Sequence, residues 1–171
     1  DDNFSDVPKT DAVVIHPRFF FYPDSKTTIA LGYTGTFETR NGVDMQVIKG
    51  MGDTLHQFFE KNKTDRHTGD LLVDRTIGGG NRLQLKASVS SFDRAITTNI
   101  HHFKGNQLNY YTEVSILVPK EKYSFVGGVN ATGDRFKILP SDPVALTDFN
   151  NNTVGAFAQA TVNLPVNTIL E

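Results

Sequence analysis

The sequence predicts an all-β chain, an antiparallel up-and-down sheet of the kind that forms transmembrane β-barrels. Three observations carry this expectation. Apolar and polar residues alternate with period two through several stretches of the chain. Tight turns and long segments take turns in joining the stretches. The polar side of each stretch is mostly Thr, Ser, Gln, Asn, Gly and Ala, where a water-facing sheet would carry Lys, Glu and Asp.

Taken in order, a weak strand over Arg18–Tyr22 leads through the turn formers Pro23-Asp24-Ser25-Lys26 into the clearest strand, Thr27–Arg40. There Ile29, Leu31, Tyr33 and Phe37 share one face, and Thr28, Ala30, Gly32, Thr34, Thr36, Glu38 and Arg40 the other. Asn41–His67 reads as a long loop. A weak strand over Thr68–Ile77 follows, then the tight turn Gly78-Gly79-Gly80. Arg82–Ser91 sets Leu83, Leu85, Ala87 and Val89 against Arg82, Gln84, Lys86, Ser88 and Ser90. After a second long connection over Asp93–Asn106, Gln107–Val118 sets Leu108, Tyr110, Val114, Ile116 and Val118 against Gln107, Asn109, Tyr111, Glu113 and Ser115. Pro119-Lys120-Glu121 turns the chain into Tyr123–Thr132, with Tyr123, Phe125, Val129 and Ala131 outward. A third long segment, Gly133–Asn152, precedes a strand over Thr153–Asn163 in which either face could be the apolar one.

These stretches are about the 10 residues that a tilted membrane strand needs. The aromatics Phe19, Phe21, Tyr22, Phe37 and Tyr123 fall near their ends, as interfacial girdles do, although Trp is absent. Short turns at one end and long loops at the other set the turns in the periplasm and the loops outside the cell.

Composition narrows the alternatives. With 38% hydrophobic and 21% charged residues, the 171-residue chain is neither disordered nor a bundle of apolar helices. A net charge of −2 gives no electrostatic case for nucleic acid. The lack of cysteine excludes disulfides, thiolate metal sites and a cysteine nucleophile. Asp1 is not followed by the basic and apolar regions of a signal peptide, so such a peptide is expected to be removed or to lie upstream. No apolar run reaches the roughly 18 residues of a membrane helix, which says nothing against strands that hide their apolar face by alternation. About seven strands cannot close a barrel, so residues 1–171 are expected to be part of a larger barrel domain whose other strands lie elsewhere.

The ordered motifs carry a resemblance. His16-Pro17-Arg18-Phe19-Phe20-Phe21-Tyr22-Pro23-Asp24 followed by Thr27 to Glu38 resembles the mid-barrel of TonB-dependent outer-membrane receptors of the Bacteroidota type. So do Asp44-Met45, His56 with Phe59-Glu60-Lys61-Asn62, Leu85 to Arg94, Gly105-Asn106-Gln107, Tyr111-Thr112-Glu113 and Gly127 to Phe136. The resemblance implies a 22-stranded barrel filled by a plug, in the bacterial outer membrane. It implies import of a scarce nutrient (an iron chelate, haem, cobalamin or a glycan) on energy passed through the TonB complex. It brings as partners the small-molecule nutrient, the lipid and lipopolysaccharide bilayer and a surface lipoprotein. It implies no catalytic residue and no cofactor, and the plug and last strands are not in this chain.

The candidate contacts with plug or substrate are Glu38, Arg40, Arg82, Lys86, Tyr111 and Glu113 on the polar face, with the loops Asn41–His67 and Gly133–Asn152 capturing substrate. Asp93 and Arg94, at a strand end, are read as an ion pair or as further substrate contacts. Other tempting features read more plainly. His101 and His102 would point to opposite faces of a strand and cannot chelate one ion together. His56 and Glu60 would share a face only if their segment were helical, and an amphipathic segment anchored by Phe58 and Phe59 is the simpler reading. Gly78-Gly79-Gly80 and Gly127-Gly128 lack the helix a phosphate loop needs, and the second pair reads as a place of close approach. No nucleophile elbow or persuasive Ser/His/Asp order is present, so no enzymatic activity is expected. A soluble or secreted β-sandwich binding module is the competing reading, and a different kind of outer-membrane channel or an outer-membrane enzyme a third.

Overall fold

The computed structural model describes residues 9–43, 58–140, 142–143, 146–164 and 168–170. Nine strands form one antiparallel sheet: β1 (Lys9–Ile15), β2 (Arg18–Asp24), β3 (Thr27–Val43), β4 (Phe59–Thr76), β5 (Arg82–Thr98), β6 (His102–Pro119), β7 (Tyr123–Ile138), β8 (Phe149–Leu164) and β9 (Thr168–Leu170). They occupy eight positions, because β1 and β2 pair with successive parts of β3 as one strand interrupted at His16-Pro17. Proline lacks the N–H that a ladder needs, and Tyr33 N–H instead donates to the Pro17 carbonyl at 3.0 Å. From β2 onward each strand pairs with its successor, so the topology is up-and-down. The sheet is open, with β1 and β2 along one edge and β8 with the short β9 along the other.

Turn chemistry matches the local sequence. Ser25-Lys26 joins β2 to β3, and the Asp24 carboxylate accepts from Lys26 N–H at 2.8 Å and the Thr27 hydroxyl at 3.2 Å. Those donors hold its pKa below the usual carboxylate value. Gly78–Gly80 forms a single 3₁₀ turn in which Gly79 and Gly80 adopt φ of 73° and 76°, a region that costs other L-residues about 1–2 kcal/mol. Close approach at the second glycine pair is real. A Cβ on Gly128 would lie 2.6 Å from the Val114 carbonyl oxygen and 2.8 Å from the Phe157 ring. Gly133, opposite Tyr110 in β6, lies beneath that residue's ring with no room for a Cβ.

The strands are longer than the alternation indicates. β3 to β8 run for 16 to 18 residues, or about 55 Å. The loop expected over Asn41–His67 is strand at both ends, and its middle, residues 44–57 with His56, lies outside the described residues. Glu60 is on β4 and not on a helix. The loop expected over Asp93–Asn106 is a three-residue connection between β5 and β6, and that over Gly133–Asn152 shrinks to residues 139–148. The reason is physical. Beyond about Phe37 the band face turns polar while Ile96 and Phe103 lie among polar residues on the opposite face, so the backbone ladder continues while the contrast that reveals it fades.

Register aligns the apolar residues on one face. Phe19, Phe21, Ile29, Leu31, Leu71, Val73, Leu83, Leu85, Ile116, Val114, Phe125 and Val129 all lie there. The ambiguous strand β8 is settled by pairing, with Val154, Ala156, Ala158 and Ala160 beside Ala131, Val129, Gly127 and Phe125. Further along the same face come Lys61, Lys63, Asp65, Asp93, Lys104, Arg135 and Lys137, so the apolar residues form a band rather than a whole face. Phe37 and Tyr110 border it on that side, and Phe21 and Tyr123 on the turn side.

The band runs obliquely. Its centre is Tyr33 on β3 (Ile29 to Phe37) and Ala158 on β8 (Val154 to Val162). Ala158 is in the row of Gly127, Ile116, Leu83, Arg75 and Thr27, six residues short of Tyr33. A drift of about 20 Å along the strands over about 24 Å across them sets the band at roughly 40° to the perpendicular of the strands.

Among the described residues no second layer covers either face. Ala30 is the sole buried hydrophobic residue among the described residues, at 3% exposure, and no large side chain is fully buried. The accessible surface is 11742 Å², against about 8,300 Å² for a compact chain of this mass. The sheet has band and ladder but no core.

Candidate functional site

The face opposite the band carries two polar constellations at different heights. Nearer the tight turns, alternation on β2, β4, β5 and β6 presents carboxylates and cations to one another across neighbouring strands. Arg18 reaches Asp70 at 2.8 Å, over Gly32, where a Cβ would collide with the Asp70 carboxylate. Arg82 grips Asp74 through Nη2 at 2.6 Å and Nε at 3.2 Å, and Gln84 adds a donor at 2.5 Å. Lys86 meets Glu113 at 3.0 Å, and the Tyr111 and Ser115 hydroxyls donate to the same carboxylate at 2.5 and 3.3 Å. Asp74 and Glu113 are only 13% and 12% exposed. Each of these largely covered carboxylates has its counter-ion, which offsets its lost hydration. Arg82, Lys86, Tyr111 and Glu113 therefore share the face opposite the band, with Arg82 spent on Asp74 and the other three on one another.

Nearer the long-loop end, β3, β4 and β5 enclose an open cleft of about 350 Å³ lined by Thr36, Glu38, Arg40, Asn62, Thr64, Arg66, Phe92 and Arg94. Register explains the assembly, since Thr36, Glu38 and Arg40 pair with Arg66, Thr64 and Asn62, which pair in turn with Phe92, Arg94 and Ile96. Arg40 Nε bonds Glu38 at 2.7 Å. Arg94 Nε donates to Asn62 at 3.2 Å, and the Arg66 guanidinium sits 4.7 Å from the centroid of the Phe92 ring. Three guanidiniums face one carboxylate, a formal excess of two positive charges. A second cleft of about 500 Å³ adjoins it, lined by Phe92, Arg94, Ile96, His101, Phe103, Gly105, Gln107, Phe136 and Leu146.

Sequence reasoning placed Glu38, Arg40 and Arg94 in this region and missed Arg66 and Phe92. Arg66 fell in a segment read as loop. Only its pairing with Thr36 shows that it shares a face with Arg40. Phe92, an aromatic among polar neighbours, was absorbed into the motif that carries the family resemblance.

Neighbours on a strand point to opposite faces, so the Asp93 and Arg94 side chains part, although both residues line a third cleft with Lys63, Asp65 and Lys104. Asp93 lies on the band side, opposite Asp65, and accepts from Asn106 at 3.0 Å. Lys63 holds Asp65 at 3.2 Å, which offsets the like-charge pair. His101 and His102 also work separately. His101 stands 3.6 Å from the Asp142 carboxylate, which accepts the His102 backbone N–H, while the His102 ring meets the Thr97 hydroxyl at 3.1 Å.

No family model, curated protein or solved structure matches the chain. The likeness to TonB-dependent receptors stands on the ordered motifs alone.

Proposed function

We propose that this chain is a wall segment of a transmembrane β-barrel in a bacterial outer membrane, and that the barrel imports a small nutrient as the TonB-dependent receptors it resembles do. The oblique apolar band is the observation that carries the reading. Strands of an outer-membrane barrel cross lipid at about 35–45° to the membrane normal and show an apolar belt about 25 Å tall between aromatic girdles. The roughly 40° drift here, derived from register alone, falls in that range. The belt along β3, nine residues from Ile29 to Phe37 and so about 26 Å long, is about 20 Å tall at that tilt. A soluble sandwich would cover this face with a second sheet about 10 Å away, and no such layer is present among the described residues.

The opposite face, with neutralised pairs low and cationic and aromatic clefts high, then lines the lumen. Substrate would meet the clefts first, at the extracellular mouth. Strands that continue past the belt serve as rigid posts for the connections beyond them.

The test is a set of single cysteines at Phe125, Val126, Val129, Asn130, Ala131 and Thr132 on β7, each carrying a fluorophore, in protein reconstituted with brominated phospholipid. Quenching should alternate, strong at Phe125, Val129 and Ala131 and weak at Val126, Asn130 and Thr132. A flat profile would overturn the membrane reading. Retention of the full-length protein on immobilised TonB is expected, and its absence with the alternation intact would overturn energised import alone.

A further inference from the structure

We propose that the two adjoining clefts form one binding site for an anion carried on an aromatic body, such as an aromatic carboxylate or sulfonate. The inference rests on the lumen reading and names the class of cargo that this wall selects.

The clefts adjoin and share Phe92 and Arg94 in their linings, so one small molecule can reach both. Their combined size suits a small molecule rather than a polymer. One end is cationic and incompletely matched. Arg40 has Glu38, whereas no carboxylate among the described residues lies within ion-pair distance of Arg66 or Arg94. The Arg66 guanidinium is stacked on Phe92, which engages its face and leaves the N–H groups at its edge to bind an oxyanion. Arg94 spends Nε on Asn62 and keeps its two Nη groups. Two unmatched forks on adjacent strands make a place where a carboxylate, sulfonate or phosphate accepts two-pronged hydrogen bonds.

The other end is apolar. Ile96, Phe103, Phe136 and Leu146 line it, and Phe136 is kept in place by stacking on Phe149 at 5.5 Å. Aromatic walls favour flat rings in offset or edge-to-face contact. A free inorganic anion would satisfy only the first half of the site, and a neutral aromatic only the second. Amphipathic anions satisfy both.

The full-length protein in detergent micelles is titrated with 2-naphthoate, 2-naphthamide and acetate, read by calorimetry. Naphthoate should bind at least about tenfold more tightly than either of the others, and raising salt should weaken naphthoate and leave naphthamide unmoved. The R66Q/R94Q double variant should bring naphthoate down to the level of naphthamide, and Phe136→Ala should bring it toward acetate. Electrophoretic heat-modifiability checks that each variant is folded. If a variant misfolds, the salt series and the ligand comparison on the unaltered protein decide. Naphthamide binding as tightly as naphthoate, or no binding of naphthoate, overturns the proposal. If the alternating quenching on β7 is intact in that protein, the membrane reading survives such a failure.

Discussion

Replacing Val129 with arginine separates a lipid-facing sheet from a water-facing one. Val129 lies on the band side of β7, between Val114 of β6 and Ala156 of β8, close to the centre of the oblique belt. It is 55% exposed in the isolated sheet. If that exposure were to water, the change would be a surface substitution, worth within about 0.5 kcal/mol. At the middle of a bilayer, arginine on a barrel exterior costs about 2–4 kcal/mol, which is roughly a 30- to 900-fold fall in the folded-to-unfolded ratio. The chain itself marks where the cost ends, since Arg135 and Lys137 occupy the same face six and eight residues further along β7. Ser88→Arg is the internal control, at similar height on the opposite face beside Tyr111, where on the proposed reading a charge would meet lumen water and should cost less than about 1 kcal/mol. Denaturant titration in phosphatidylcholine vesicles, with folded protein read by heat-modifiable mobility, measures both. A cost below about 0.5 kcal/mol for Val129→Arg, or equal costs for the two variants, would refute the reasoning.

Gly133→Val drives a branched side chain into the Tyr110 ring and should destabilise by about 1–3 kcal/mol. Adding Tyr110→Ala removes the obstacle, so a double-mutant cycle should recover at least about 1 kcal/mol, and strict additivity would show that the ring does not cover the glycine. Gly80→Ala tests backbone strain alone. Nothing lies within 4 Å of the added Cβ, so the positive φ of 76° should by itself cost about 1 kcal/mol in the same titration, and an unchanged midpoint would mean that the turn relaxes.

Legibility followed contrast. The halves of β3, β5, β6 and β7 near the tight turns were readable because an apolar belt there faces a polar wall, and period two appears only when the two faces differ. The strands were read too short because their outer parts lose that contrast: on β4 Lys61 and Lys63 lie on one face and Glu60 and Asn62 on the other, and on β5 to β7 the few apolar residues, Ile96, Phe103 and Phe136, lie on the face opposite the belt. β1 escaped notice for its shortness and for the His16-Pro17 break that separates it from β2. The turns were readable from Asp24-Ser25-Lys26 and from the triple glycine, since turn chemistry is local.

What the sequence determined by itself is therefore what lies within a few residues: which side chains share a face, where the chain reverses and that it is all-β. What the tertiary structure decided is what depends on register. Pairing Thr36 with Arg66, and Arg66 with Phe92, created the cationic cleft from three segments that have no common motif. Pairing also turned Asp93 away from Arg94's partners, resolved the ambiguous β8 and gave the belt its slant. A single strand fixes the side on which a residue points, because its repeat is two. Only the hydrogen-bonded ladder fixes the height at which that residue meets its neighbours, and the proposed site is built of heights.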